Sequence, residues 1–184
     1  MKHAAKAAHV GLMIAMFTLV GACSATRTQE SAGEVIDDST LTAKVKTALI
    51  ADPVTKAHEI NVETYRGVVQ LGGFVDSAEQ KARATEVAKN ISGVKEVRND
   101  LKVSEADQTV GQLVDDGTIT TQVKAKLIAD SKTDAYKINV DTKQGVVQLS
   151  GFVDNEEAKR EAGEVARSVS GVKSVDNKLE IRQQ

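Results

Sequence analysis

One cysteine, one proline and no tryptophan occur in 184 residues. A single cysteine excludes an internal disulfide and any metal cage built on thiolates. With two tyrosines and three phenylalanines, the chain lacks the aromatic platforms on which single-stranded nucleic acid stacks. Neither sign of charge dominates: 24 Lys and Arg against 26 Asp and Glu leave a net charge of -2, without the basic footprint that a phosphate backbone demands. Histidine is almost missing. His3 and His9 lie near the start, which leaves His58 as the one imidazole further on. A hydrolase needs its base oriented by a third group, and zinc needs three or four converging ligands. His58 supplies neither and reads as a surface side chain beside a turn.

Long apolar runs are also scarce. Val10–Val20 is an uncharged stretch of eleven residues, short of the roughly 20 that span a bilayer. Lys2 and Lys6 precede it and Val20-Gly21-Ala22-Cys23 follows, the order of a secretory leader over residues 1–22. Those last four residues resemble a bacterial lipobox, in which the cysteine is acylated and becomes the mature N-terminus. The resemblance implies lipidation at Cys23. Ser24 stands where aspartate is associated with retention in the inner membrane, so the implied location is the periplasm, anchored to the inner leaflet of the outer membrane. Three acyl chains exceed the two signals that stable attachment requires. The alternative is cleavage near Ala25, with Cys23 lost along with the leader.

What the chain does have is itself, twice. Gly67–Lys81 reads GVVQLGGFVDSAEQK and Gly145–Lys159 reads GVVQLSGFVDNEEAK, and the offset of 78 residues holds without a gap: Asp38–Val103 and Asp116–Ile181 share 37 of 66 positions. The organisation expected is a tether over 23–33, a first module over 34–103, a linker over 104–111 and a second module over 112–182. Modules of about 70 residues are marginally stable alone, so contact between the two copies is expected. The linker is too short for them to roam.

Within a module, Asp37-Asp38-Ser39-Thr40 offers N-caps, and Leu41, Val45, Ala48 and Leu49 recur on one helical face, predicting a helix over Ser39–Ala51. The copy places Lys126 where Ala48 stands, which puts that position at the edge of the buried stripe. Ile60 and Val62 alternate with polar residues as a strand does, Tyr65-Arg66-Gly67 turns, and Val68–Val75 returns as a more apolar strand. Gly73 and Gly151 interrupt that return strand, through a bulge or the close approach of another backbone rather than a ligand. Asp76 with Glu79, repeated as Asp154 with Glu157, has the spacing that opens a second helix, whose buried face is Ala84, Val87, Ala88 and Ile91. Ser92-Gly93 stops that helix, and Val97, Leu101 and Val103 alternate as a third strand. The class is α+β: two tandem α-β-β-α-β modules, each a three-stranded mixed sheet covered on one face by two helices. The other sheet face carries Asn, Glu, Gln and Lys and is expected to meet solvent.

The order α-β-β-α-β, the Gly67–Val75 and Gly145–Val153 cores, and Ser-Gly-Val at Ser92–Val94 and Ser170–Val172 resemble the BON domain. The resemblance covers both halves. It implies a non-catalytic periplasmic protein, of a group with osmotically inducible and lipoprotein members, that binds phospholipid surface or envelope proteins and supports the envelope under osmotic or other stress. An alternative is a chaperone-like or scaffolding protein that recognises polypeptide clients, for which an exposed sheet edge is one route. No cofactor, catalytic residue or metal is expected. Asp37/Asp38 and Asp115/Asp116 read as acidic residues favoured in a first helical turn. Gly72-Gly73 does not fit a phosphate loop. The exposed side of the first helix, Lys44 and Lys46 with Lys124 and Lys126 in the copy, is the candidate lipid- or partner-binding surface.

Overall fold

The computed structural model describes residues 32–55, 59–104, 109–133 and 135–182. Helix α1 runs Ala32–Ala51, strand β1 Ile60–Tyr65, β2 Val68–Val75, helix α2 Ala78–Lys89, and the third strand comes in two pieces, β3 Glu96–Asn99 and β4 Lys102–Val103. The second half repeats the order as α3 Val110–Ala129, β5 Ile138–Lys143, β6 Val146–Val153, α4 Glu156–Arg167, β7 Ser174–Asn177 and β8 Glu180–Ile181. A 3-10 turn at Ala135–Lys137 leads into β5. Both halves are therefore α-β-β-α-β, as the sequence predicts.

In each sheet the middle strand is the return strand of the hairpin. β1 pairs antiparallel with β2, while β3 and β4 pair with it in parallel; β5 to β8 do the same around β6. The parallel partner is reached through α2 or α4, because a parallel neighbour cannot be joined by a tight turn. The third strand breaks where Leu101 and Leu179 turn inward, each almost wholly buried. Asn99 Oδ1 accepts from Leu101 N at 3.1 Å across the break.

Each helix pair covers one sheet face. In the first module Leu41, Val45 and Leu49 of α1 and Ala84 and Ala88 of α2 meet Val62, Val69, Leu71 and Val75. In the second, Ile119, Val123 and Leu127 with Ala162 and Ala166 meet Val140, Val147, Leu149 and Val153. Alanine on α2 and α4 lets those helices approach closely, so two aliphatic layers close without aromatic rings. Ala48 is half-buried and Lys126 is exposed, as the edge of the stripe requires.

Three boundaries differ from expectation. α1 starts at Ala32, seven residues ahead of Ser39, because Asp38 is not a cap but is used elsewhere. α3 likewise starts at Val110, where Thr109 and Gln112 form a reciprocal capping box. α2 is capped by Ser77, whose side chain accepts from Gln80 N, with Asn155 doing the same for α4. The cap thus falls one residue after Asp76 and Asp154. Gln80 Oε1 reaches back past the cap and accepts from Asp76 N at 2.8 Å in the first module.

The largest departure is the outer sheet face, which does not meet solvent. β2 and β6 pack against each other through it, so the molecule is layered helices, sheet, sheet, helices. Gln70, Gln148, Ser150, Phe74 and Phe152 are all buried there. Alternation of apolar and polar residues identifies the face turned away from the helices, but a second polar face of matching hydrogen-bonding capacity can replace water on it.

Candidate functional site

Asp38 shows how a local carboxylate shapes the fold. It is buried in the second turn of α1 and accepts from Arg66 N at 2.6 Å and from Gly67 N at 2.9 Å. Asp116 accepts from Gln144 N and Gly145 N at 2.6 and 2.7 Å. Arg66 and Gln144 have positive φ, 51° and 55°, a conformation uncommon for residues other than glycine. The carboxylate holds both amides of that turn and compensates its strain. Asp38 and Asp116 are thus staples between helix and hairpin and not first-turn charges serving a helix dipole. Their neighbours Asp37 and Asp115 are exposed.

The seam between the modules has approximate two-fold symmetry, read directly from the offset of 78. Gln148 Oε1 accepts from Gly73 N at 2.5 Å, and Gln70 Oε1 accepts from Gly151 N at 2.8 Å. Gln70 Nε2 donates to Lys178 O at 2.6 Å, and Gln148 Nε2 donates to Asp100 O at 2.9 Å. Asn61 Nδ2 donates to Asp141 Oδ2 at 2.5 Å, while Asn139 Nδ2 donates to Glu63 Oε1 at 3.0 Å. Each glutamine answers a buried amide and a part-buried carbonyl of the opposite module. Gly73 and Gly151, whose amides take part, are themselves held close to backbone of their own modules. Their φ values are 109° and 124°, and a Cβ at either would lie 2.1 Å from a backbone oxygen of its own module, that of Glu59 just ahead of β1 or of Lys137 just ahead of β5. Close backbone approach, not ligand contact, is therefore what these glycines serve.

The ends of the seam break the symmetry. At one end Tyr65 packs against Phe152, ring centroids 5.5 Å apart and planes tilted by 35°, with the guanidinium groups of Arg66 and Arg182 each 5.4 Å from the tyrosine ring. At the other end Lys143 occupies the position of Tyr65, its Nζ 3.6 Å from Asp76 and 3.8 Å from Glu59. Beside it a cleft of about 330 Å³ is lined by Glu59 and Phe74 from the first module and by Leu113, Lys124, Asp141 and Lys143, among others, from the second. Burial pushes the Asp141 carboxyl up to about 6, against the pull of Lys124 and the Asn61 hydrogen bond and with help from the Glu59 charge.

The four candidate lysines do not converge. Lys44 is exposed at the rim of a groove of about 610 Å³ between α1 and the first hairpin turn. Lys46 is exposed two residues on, where a helix turns it to another side. Lys124 lines the cleft beside Asp141. Lys126 Nζ is held by Ser168 Oγ at 3.0 Å and Ser168 O at 3.2 Å. What the sequence reading missed is apolar exposure on α3: Val110, Leu113 and Val114 are 78%, 52% and 63% exposed. Their i, i+3, i+4 spacing is a helical signal that an expected helix start at the equivalent of Ser39, residue 117, leaves out. Cys23 and His58 lie outside the described residues. Among the described residues no cluster of three His, Cys, Asp or Glu could hold a metal, and no helix is long and apolar enough to cross a membrane.

Comparison with known proteins agrees with this architecture. The BON domain family profile matches twice, at residues 37–105 and 115–183. Osmotically-inducible protein Y of Escherichia coli K12 is 42% identical over 151 residues, covering 82% of this chain and 75% of that protein. Outer membrane lipoprotein DolP of Haemophilus influenzae is 39% identical over 144 residues, covering 78% and 74%. A 21 kDa hemolysin of Actinobacillus pleuropneumoniae is 37% identical over 146 residues, covering 79% and 74%.

Proposed function

This chain belongs to the BON-domain family, with one module in each half, and on that premise we propose that it is a non-catalytic protein of the bacterial envelope. Its outer helix faces meet phospholipid surface or other envelope proteins, and it supports envelope integrity under osmotic or other stress. On this reading residues 1–22 are a leader, Cys23 is acylated, and the protein sits in the periplasm on the inner leaflet of the outer membrane, a location supported by the printed names of two relatives, one osmotically inducible and one an outer membrane lipoprotein.

The observation that carries this reading is the layering. Because the seam takes up both polar sheet faces, helices form the two outer layers, and α3 exposes the apolar residues Val110, Leu113 and Val114 ahead of Lys124 on the same helix. Lysines beside an anionic bilayer contribute about 1 kcal/mol each and are screened by salt. Lys44, Lys46 and Lys124 therefore orient a module that an acyl anchor already holds close. Lys126, tied to Ser168, contributes less.

Co-sedimentation of the fragment 24–184, which contains every described residue, with vesicles of anionic and of neutral lipid tests the lipid half. Binding to anionic vesicles at low salt, released by salt and weakened by Lys46→Glu with Lys124→Glu, is expected. Absence of binding at low salt would remove it. The client-binding alternative draws on β1 and β5, each the terminal strand of its sheet with one paired neighbour, where an extended polypeptide can add. Protection of an unfolded outer-membrane protein from aggregation, together with indifference to vesicles, would favour that reading. Intact mass of the mature protein tells acylation at Cys23 from simple cleavage.

A further inference from the structure

The seam carries a pattern that the repeat itself exposes. On the third strand the first module reads Arg98, Asp100, Lys102, and the equivalent positions of the second read Asp176, Lys178, Glu180. Every charge is reversed. Arg98 pairs with Glu180 across the seam, and Lys178 Nζ lies 4.0 Å from Asp100. Positions 100 and 178 are each other's equivalents and so sit by the two-fold axis. A pair of two first modules would oppose Arg98 to Lys102 and Asp100 to Asp100. A pair of two second modules would oppose Asp176 to Glu180 and Lys178 to Lys178. Each like pairing opposes like charges at these positions, whereas the unlike pairing meets attraction at Arg98–Glu180 and Asp100–Lys178.

Sterics repeat the message at a second place on the axis. Gly72 faces its own equivalent, Ser150, and a Cβ at position 72 would come within 2.4 Å of Ser150 Oγ. One serine fits there because the opposite residue is glycine. Two second modules would bring serine onto serine. The remaining seam hydrogen bonds use Asn61/Asn139, Gln70/Gln148 and Gly73/Gly151, the same residues in both copies, with Glu63/Asp141 as acidic acceptors of one charge, and do not discriminate by charge.

We infer that the seam is a charge-coded joint that accepts only a module of the opposite kind, and that a second copy of this chain can supply it, module 1 of one chain pairing with module 2 of the other. Charge complementarity of this type fixes partner choice by building repulsion against the wrong pairings. The seam is largely polar, and its hydrogen bonds exchange with water at small net cost, so opening is not barred as it would be for an apolar core. Within one chain the short linker keeps the two modules at an effective concentration in the millimolar range, which favours the closed monomer until another copy is comparably concentrated.

Two triple variants of the fragment 24–184 test both parts of this. Variant A carries Arg98→Asp, Asp100→Lys and Lys102→Glu; variant B carries Asp176→Arg, Lys178→Asp and Glu180→Lys. Alone, each has two modules of one charge pattern, and is expected to be an open monomer with a larger radius of gyration by X-ray scattering than the parent. Mixed, A and B satisfy each other at both seams, and sedimentation is expected to show the mass doubling to a 1:1 complex. All six changes in one chain should restore the compact monomer. Far-UV circular dichroism matching the parent separates opening from unfolding, and a variant that fails this check is replaced by its single change at position 98 or 180. If A and B alone stay as compact as the parent, the charge code is wrong. If they open yet do not associate when mixed, pairing with a second copy is wrong.

Discussion

The two modules share a core and differ at their joint. Leu71 and Leu149, Val69 and Val147, Ala84 and Ala162 occupy equivalent buried sites with the same residues, while Lys143 stands at the position equivalent to Tyr65, at the other end of the seam, Gly72 faces Ser150 and the third strand reverses its charges. A duplicated fold has to keep its interior, because a change of even one methylene is felt in a close-packed core. The joint is under the opposite demand. Two identical faces would pair with any copy, so divergence there makes one pairing better than the rest.

That contrast is broken most directly at the cores. Leu71→Ala and Leu149→Ala each delete a fully buried side chain at equivalent places, and each is expected to cost about 2–5 kcal/mol in urea unfolding. The two losses should agree within about 1 kcal/mol. A larger gap would mean that the modules differ in their interiors as well. The seam comes next. Gln148→Leu leaves the buried Gly73 N and the part-buried Asp100 O without these partners, and Gln70→Leu does the same to Gly151 N and Lys178 O. Each should cost about 1–3 kcal/mol and split a single unfolding transition into two, as the modules lose their mutual support. A single transition of unchanged midpoint would show that the seam contributes little.

The interior was readable in the residues and the joint was not, for one physical reason. Helical spacing at Leu41, Val45 and Leu49 and alternation at Ile60 and Val62 report which side leaves water, because apolar residues have one destination. Asn61, Gln70 and Gln148 have two: a hydrogen bond is as well satisfied by a matching protein face as by solvent. A hint lay in their retention in both copies, since an exposed glutamine need not be kept while its neighbours change. The same ambiguity displaced the caps. Asp38, Ser39, Asp76 and Ser77 can all cap a helix, and the hairpin turn at Arg66-Gly67 claimed Asp38 before α1 could. The dispersal of Lys44, Lys46, Lys124 and Lys126 follows from i, i+2 spacing, and the exposed apolar turn of α3 escapes notice because it precedes residue 117, the equivalent of Ser39, where the helix is expected to start.

A smaller effect sharpens the comparison through pH. Asp141 is half-buried in the seam, and its carboxyl is pushed up to about 6, chiefly by burial. The folded protein then holds that proton more tightly than the unfolded chain, whose aspartates titrate near about 3.9. Stability from this group is therefore full below about pH 4, falls as pH rises, and levels off above about 6. Asp141→Asn keeps an acceptor for Asn61 while removing the charge. It should flatten the dependence between about pH 4 and 6 and raise stability at pH 7 by roughly 1–3 kcal/mol, the upper figure being two units at about 1.36 kcal/mol each. A melting profile in which the variant and the parent keep the same slope across that window would sink the assignment.

The smallest change addresses the point where the modules differ by one hydroxyl. Ser150 is buried against Gly72, and its Oγ has no hydrogen-bond partner among the described residues. A buried hydroxyl without a partner costs about 1–3 kcal/mol in protein contexts, and the glycine opposite leaves room for Cβ but offers no acceptor. Ser150→Ala keeps the Cβ and removes the orphan, so it should stabilise the folded chain by about 1 kcal/mol in urea unfolding without altering the modules' pairing. Gly72→Ser, its mirror, has to fit a second side chain where a Cβ already comes within 2.4 Å of Oγ, and should destabilise. If the hydroxyl serves the joint, the two substitutions move stability the same way; if it is tolerated only because glycine stands opposite, they move it in opposite directions.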